Sequence, residues 1–229
     1  MTTLGNVLIT GGASGLGAAT ARAVAVAGGR PLIIDRDVPH LDCPHVQADV
    51  ADADQVERAV AELAAQADDR IDAVFTAAGT DACGPLATVP RADWERVLAV
   101  NLSGTVSTVR AALPWLERSG GRVITCSSTL GVRVAADATA YCASKFGVVG
   151  FTRALAAETA GWIKVTLLIP GGMHTAFFDG RPAQYQPPAD AKLNRPEDTA
   201  AAVLTVLTAP EGSQIRELVV CADEEGSWP

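Results

Sequence analysis

The chain has no apolar run of the roughly 18 to 20 residues that a membrane-spanning helix requires. It has no surplus of basic charge either. Eighteen Lys and Arg stand against 26 Asp and Glu, a formal net charge of −8, whereas a nucleic-acid partner calls for a basic footprint against its phosphates. Paired cysteines are missing: Cys43, Cys83, Cys126, Cys142 and Cys221 are scattered, odd in number and contain no C-x-x-C. That usage fits reduced thiols in a cytoplasm rather than a disulfide framework. His40, Cys43 and His45 cluster in sequence, but without a fourth ligand nearby no metal site is expected. The N-terminus has no basic region followed by an apolar stretch and a cleavage site, so the expected location is cytoplasmic. Linkers, repeats and low-complexity tracts are also absent, which leaves one domain spanning residues 1–229.

What remains is a chain built to bury a core. Hydrophobic residues make up 48% and charged ones 19%, and the mean hydropathy is +0.21. At 229 residues a substantial interior is available. Short β-rich apolar runs predict strands at Val7–Thr10, Pro31–Ile34, Val46–Ala48, Ile71–Thr76, Arg122–Cys126, Lys164–Ile169 and Leu218–Cys221. Between them, helical spacing predicts helices from about Leu16 to Ala27, from Asp52 or Asp54 to Ala67, from Arg91 to Leu98, from Asn101 to Arg118, from Ala138 to Thr159 and from Pro196 to Leu207. Pro114 should bend or interrupt the fourth helix. Near-continuous apolar strands alternating with helices describe a parallel sheet buried on both faces. The fold class is therefore α/β, a doubly wound parallel sheet of about seven strands with helices on both faces.

Thr10-Gly11-Gly12-Ala13-Ser14-Gly15-Leu16-Gly17 lies between the first strand and the first helix. Glycines there let the backbone approach a pyrophosphate, and the helix N-terminus offers free N–H groups with partial positive charge. The second strand closes on Asp35, 18 residues beyond Gly17, where a carboxylate can accept hydrogen bonds from a ribose 2′- and 3′-hydroxyl pair. The same charge repels a 2′-phosphate, so NAD(H) is expected in preference to NADP(H). Arg36 complicates this, because an arginine can partly compensate for a 2′-phosphate.

A second constellation follows the fifth strand. Tyr141 comes thirteen residues after Ser128, and Lys145 four after Tyr141. On a helix, i and i+4 side chains share a face. An ammonium there should lower the tyrosine pKa from about 10 towards working pH, while Ser128 holds a substrate oxygen. This reads as a general acid/base site.

These motifs together resemble the short-chain dehydrogenase/reductase family over nearly the whole chain. The glycine turn is similar to its T-G-x-x-x-G-x-G loop, Asp49-Val50 to its D-V pair beside the adenine, and Ala77-Ala78-Gly79 to the tail of N-A-A-G. Val100-Asn101 is similar to its V-N pair, Ser128 and Tyr141-x-x-x-Lys145 to its catalytic positions, and Pro170-Gly171 with Thr175 to its P-G-x-x-x-T segment by the nicotinamide. Arg195-Pro196-Glu197-Asp198 resembles the start of a late helix. The resemblance implies a single-domain Rossmann fold that binds NAD(H) through Gly11, Ser14, Gly15, Leu16, Gly17, Asp35, Arg36 and the motif residues just named. It further implies hydride transfer between the cofactor and a secondary alcohol or ketone. Tyr141 would then be the proton donor or acceptor, Lys145 would lower its pKa and hold the nicotinamide ribose, Ser128 would position the substrate oxygen, and Asn101 would hold a water linking Lys145 to solvent. A homodimer or homotetramer is implied as well. The alternative is a catalytically silent NAD(H)-sensing regulator or scaffold of the same fold, which usually lacks the Tyr or Lys present here.

The chain departs from the family pattern in three places. Thr76 replaces the first Asn of N-A-A-G and loses an amide's paired donor and acceptor. Cys142 follows the catalytic tyrosine; it is either a neutral buried thiol or, if exposed, reactive beside Lys145. The segment Val219 to Pro229 departs from the usual V-D-G-G close, which weakens the tetramer expectation and leaves Trp228 as either an anchor or an exposed tail residue. The substrate loop, at about 172–195, contains Met173, Phe177, Phe178 and Tyr185. Three of the chain's seven Phe and Tyr residues thus fall in it. An apolar ketone or alcohol is expected there, pressed against Cys83 to Leu86, with Arg133 and Arg181 available for a carboxylate or coenzyme A and His174 for a polar group.

Overall fold

The computed structural model describes residues 4–227, so Trp228 lies outside the described residues. Seven strands form one sheet: β1 (Asn6–Thr10), β2 (Arg30–Asp35), β3 (His45–Gln47), β4 (Ala73–Thr76), β5 (Arg122–Cys126), β6 (Lys164–Pro170) and β7 (Glu217–Val220). Their order is β3-β2-β1-β4-β5-β6-β7, and every neighbouring pair is parallel. Six α-helices accompany them: α1 (Gly15–Val26), α2 (Ala53–Ala65), α3 (Arg91–Leu98), α4 (Gly104–Ser119), α5 (Thr139–Glu158) and α6 (Pro196–Leu207).

Period-2 alternation along each strand divides the interior in two. Leu8, Leu32, Val74 and Val123 enter one core, where Val56, Val60 and Leu63 of α2 and Leu116 of α4 meet them. Ile9, Ile33, Phe75 and Ile124 point the other way, against Leu16 and Val24 of α1 and Val203 of α6. Each fully buried aliphatic side chain contributes roughly 1.5–3 kcal/mol. A one-residue register slip would send all of them to the wrong face.

Element existence matches the sequence expectation throughout; most boundaries fall within one residue of it, and three larger differences have local reasons. The second helix stops at Ala65 rather than Ala67, and Asp68 and Asp69 take φ of 55° and 52°. Asp69 is held there by Trp115 Nε1 at 2.7 Å and by Arg118. The fourth strand starts at Ala73, because Asp72 instead uses its carboxylate to accept the Asn6 N–H at 2.8 Å. Finally, α3 runs into α4 through a π-helical turn over Ala99–Ser103, and α4 continues past Pro114 to Gly120, a left-handed cap at φ 61°. Pro114 neither starts nor ends a helix. The break falls at Asn101 instead.

The chain leaves β1 towards β2 and β3, then crosses back to β4. That reversal opens a crevice at the carboxyl ends of β1 and β4, where this architecture binds its ligands.

Candidate active site

A cleft of about 1460 Å³ follows that crevice, lined from Gly11 and Asp35 through Tyr141 to the loop after β6. The glycine turn is built for close approach. A side chain at Gly17 would place its Cβ 2.0 Å from the Gly11 carbonyl oxygen, and one at Gly11, held at φ +72°, would strike the Ala78 backbone at 2.7 Å. Ser14 takes the N-cap position of α1 without capping it, and no acidic residue occupies the first turn. The N–H groups and partial positive charge of α1 are therefore left for an anion. Gly15 and Leu16 complete the turn. On the far side, Ala77 N donates to Thr10 O at 3.2 Å and Ala78 N to Thr10 Oγ1 at 3.3 Å, so Gly79 is delivered to the same cleft.

Asp35 ends β2 with Oδ2 accepting the Ala13 N–H at 2.9 Å and Oδ1 accepting that of Asp37 at 3.1 Å. The carboxylate is thereby locked at the lip of the glycine turn. Arg36, beside it, is exposed. Asp49 is clamped by a fork the sequence did not show: Arg96 Nη1 and Nη2 reach its two oxygens at 2.7 and 2.9 Å. The hydrogen bond from Arg96 holds that carboxyl below the usual range. Val50 is buried against Gly104.

Deeper in, the structure gathers Asn101, Ser128, Tyr141 and Lys145. Lys145 is 4% exposed; its Nζ donates to the Cys126 carbonyl at 2.9 Å and its own carbonyl accepts from Ser127 Oγ at 3.0 Å. These bonds fasten α5 to the end of β5. Ser128 Oγ accepts from Leu130 N at 3.1 Å and caps a short turn. Asn101, fully buried, accepts from Thr80 N at 2.8 Å and donates to Thr80 O at 2.9 Å and Ser144 Oγ at 3.0 Å. Ser144 in turn donates to Tyr141 O at 2.8 Å. The π-helical turn shifts the helix register at Asn101, and Thr105 Oγ1 donates to its carbonyl at 2.9 Å. The side chain of Asn101 thus cross-links the loop after β4 to α5. A Cβ at Gly79 would lie 3.6 Å from its Oδ1 and 3.8 Å from Lys145 Nζ.

The electrostatics correct one expectation. Lys145 Nζ lies 5.7 Å from the Tyr141 ring centroid, yet the phenol is raised above its ordinary value. Burial raises it most, and the neighbouring Ser128 hydroxyl pulls it back only in part. Burial also lowers the Lys145 ammonium, one of whose three N–H groups is engaged by Cys126 O. Desolvation dominates, and Tyr141 is held as a protonated acid. Cys142 is buried at 8% exposure, which agrees with the inert-thiol alternative.

Pro170 closes β6, and Gly171 N donates to Val220 O at 2.9 Å. Thr175 accepts from Phe177 N at 3.3 Å and lies 3.5 Å from where a Cβ on Gly15 would stand, so the loop after β6 reaches the glycine turn. Phe177 lies 5.7 Å from the Tyr141 ring, tilted 56°. Arg181, however, is not free for a substrate carboxylate. Its Nη2 meets Asp81 Oδ2 at 2.7 Å, with side-chain exposures of only 16% and 7%, and its guanidinium stacks on Phe177 and Phe178 at 4.9 and 4.7 Å. Cys83 Sγ shares that carboxylate at 3.2 Å, and burial pushes its thiol up to about 11. Tyr185 donates its hydroxyl to Asp137 Oδ2 at 2.9 Å, and Asp137 is itself strained at φ 59°. Sequence reasoning missed Asp81, Asp137 and Arg96 because their partners lie 100, 48 and 47 residues away. Arg133 is exposed, while His174 donates its backbone N–H to Asn194 O at 2.9 Å.

The relatives of the chain agree with this geometry. The family model for short chain dehydrogenases matches residues 5–186. The sequence is 36% identical to a D-threitol dehydrogenase of Mycolicibacterium smegmatis over 71% of this chain and 68% of that protein. It is 32% identical to an uncharacterized oxidoreductase of Staphylococcus aureus (strain MW2), over 93% and 95% of the two chains. Among solved structures, levodione reductase superposes with a TM-score of 0.83 at 27% identity, covering 96% of each chain. An alcohol dehydrogenase from the archaeon Thermococcus sibiricus, complexed with 5-hydroxy-NADP, superposes with a TM-score of 0.86 at 24% identity over 96% and 97%. The matched stretch contains the glycine turn, the Ser128–Lys145 segment and strands β1 to β6, and the chain belongs to the short-chain dehydrogenase family of oxidoreductases.

Proposed function

We propose that the chain is an NAD(H)-dependent oxidoreductase that interconverts a secondary alcohol and its ketone, with Tyr141 moving the proton. The observation that carries this reading is the convergence of Ser128, Tyr141 and Lys145 on the cleft that begins at the glycine turn and Asp35. A bound nicotinamide would supply or accept the hydride. The glycine turn would hold its pyrophosphate, Asp35 its adenosine ribose, and Pro170, Gly171 and Thr175 its nicotinamide end. The residues of the chain do the rest. Ser128 donates to the substrate oxygen, Tyr141 gives that oxygen a proton in reduction and takes one in oxidation, and Lys145, fixed on Cys126 O, supplies positive charge beneath the phenol. The anionic lip at Asp35 favours NAD(H) over NADP(H).

The lining of the cleft moves the substrate away from a purely apolar ketone. Phe177 and Phe178 flank it, but Asp81, ion-paired to Arg181, and Asp137, hydrogen-bonded to Tyr185, stand at the same end, and Arg181 Nε is buried there without a partner. A buried polar site of this kind rewards a ligand with its own hydroxyl groups, because each unpaired group costs about 1–3 kcal/mol. We therefore read the substrate as a neutral polyhydroxy compound, in keeping with the D-threitol dehydrogenase relative.

The test is Tyr141→Phe, which keeps the ring and removes the acid. Turnover of a polyol and ketose panel with NAD(H) should fall at least 100-fold, with NADH binding by calorimetry unchanged. Undiminished turnover in the purified variant would sink the proposal.

A further inference from the structure

After β7 the chain turns back into the cleft and brings a carboxylate with it. Glu225 Oε2 accepts the Gly172 N–H at 2.9 Å, and a Cβ built on Gly171 would lie 2.2 Å from the same oxygen. The other oxygen accepts from Ser227 Oγ at 2.6 Å and Ser227 N at 3.2 Å. Ser227 Oγ also reaches Thr129 Oγ1 at 2.7 Å, one residue from Ser128. Glu225 and Ser227 together tie the end of β6 to the end of β5, the two strand ends that carry the Gly171 and Ser128 walls of the site. Among the described residues no Lys, Arg or His pairs with Glu225, and both Glu225 and Ser227 line the cleft. The net effect is an uncompensated negative charge against Gly171.

We propose that Glu225 selects the oxidised form of the cofactor. This rests on the reading above, in which Pro170, Gly171 and Thr175 hold the nicotinamide end. The oxidised ring carries a positive charge that the arriving hydride neutralises, while the rest of the dinucleotide keeps its charge. A carboxylate fixed beside Gly171 attracts the first form and leaves the second nearly indifferent. In a half-buried site such an attraction survives screening. The tail that replaces the family's usual close is thus a working part of the site, and it biases the bound couple towards NAD+.

Calorimetric titration of the full chain with NAD+ and with NADH tests this directly. Glu225→Gln keeps an oxygen that can accept the Gly172 N–H but removes the charge. It should weaken NAD+ about fivefold and NADH less than twofold. A chain ending at Ala222, confirmed as folded by its melting curve, should show the same selective loss. Equal weakening of both forms would reduce Glu225 to a brace and overturn the proposal, as would no change in either. If the unmodified chain binds neither form, it is the cofactor reading that fails.

Discussion

The nucleotide end and the substrate end of this cleft are built by different means. At the nucleotide end, backbone does the work: glycines over residues 11–17 clear space, a helix N-terminus is left open, and one carboxylate is fixed by backbone N–H groups. At the substrate end, side chains from distant segments face one another, with Arg181 on Asp81 across 100 residues and Tyr185 on Asp137 across 48. Backbone shape is dictated by local residue types and tolerates almost no change. Paired side chains are set by tertiary packing and can be exchanged without losing the fold. Under the proposed function, the first end would fix what all such chains share, and the second is where a particular substrate would be chosen.

The sharpest break of that comparison is Gly17→Ala. Its Cβ would sit 2.0 Å from the Gly11 carbonyl, so α1 must move away from β1 and the anion site with it. Cofactor binding should fall more than 100-fold, read by calorimetry, on a chain whose melting point also drops. Binding within tenfold of the parent would show that the turn has slack the structure does not display.

Tyr141, the proposed acid/base group, sits where the two ends meet, and its pH response is the next largest effect. Burial raises the Tyr141 phenol, so the protonated form dominates through neutrality. Reduction uses that form and should be flat between about pH 6 and 9. Oxidation uses the ionised form, whose fraction grows tenfold per pH unit below the pKa, so its rate should keep climbing across the same range. An oxidation plateau at or below about pH 8 would mean that Lys145 overcomes burial once the cofactor is bound, as the i, i+4 spacing by itself suggests.

This contrast also explains what was legible in the sequence. All seven strands and six helices carry their own period, and the glycine turn, Asp35 and the Ser128–Lys145 spacing are local patterns. Asn101 could be placed by family resemblance, but its use as a cross-link between Thr80 and Ser144 depends on a π-helical turn with no residue signature. Arg181 looked like a free cation because its partner is remote in the chain. Tyr141 looked acidic because spacing reveals a neighbouring charge and hides desolvation. Burial and long-range pairing are properties of the folded chain, and they are where local reading failed.

Arg181→Ala probes the substrate end alone. It leaves Asp81 nearly buried without its cation and removes the guanidinium from Phe177 and Phe178. Residues 176–186 should loosen, raising the KM of a polyol substrate about tenfold. The Kd for NADH should stay within twofold. The double variant with Asp81→Asn should recover part of the loss, since the stranded charge is gone. Equal damage to NADH binding would show that the two ends are not separable.

The smallest effect tests whether the nucleotide end is as tightly specified as its glycines imply. Thr76, which stands where the family has an asparagine, is 2% exposed, and its Oγ1 has no hydrogen-bond partner. Valine has the same shape without the hydroxyl, so Thr76→Val removes a buried unpaired group and costs no packing. A gain of about 1 kcal/mol follows, equivalent to a rise in Tm of roughly 2–4 °C for a chain of this size, with kcat unchanged. A fall in Tm instead would mean that the hydroxyl is satisfied in solution, most simply by a bound water, and that the crevice beside β4 retains the cross-link usually made by the asparagine. The rise is expected because the neighbouring bonds, Ala77 N to Thr10 O and Ala78 N to Thr10 Oγ1, already hold that crevice without any help from residue 76.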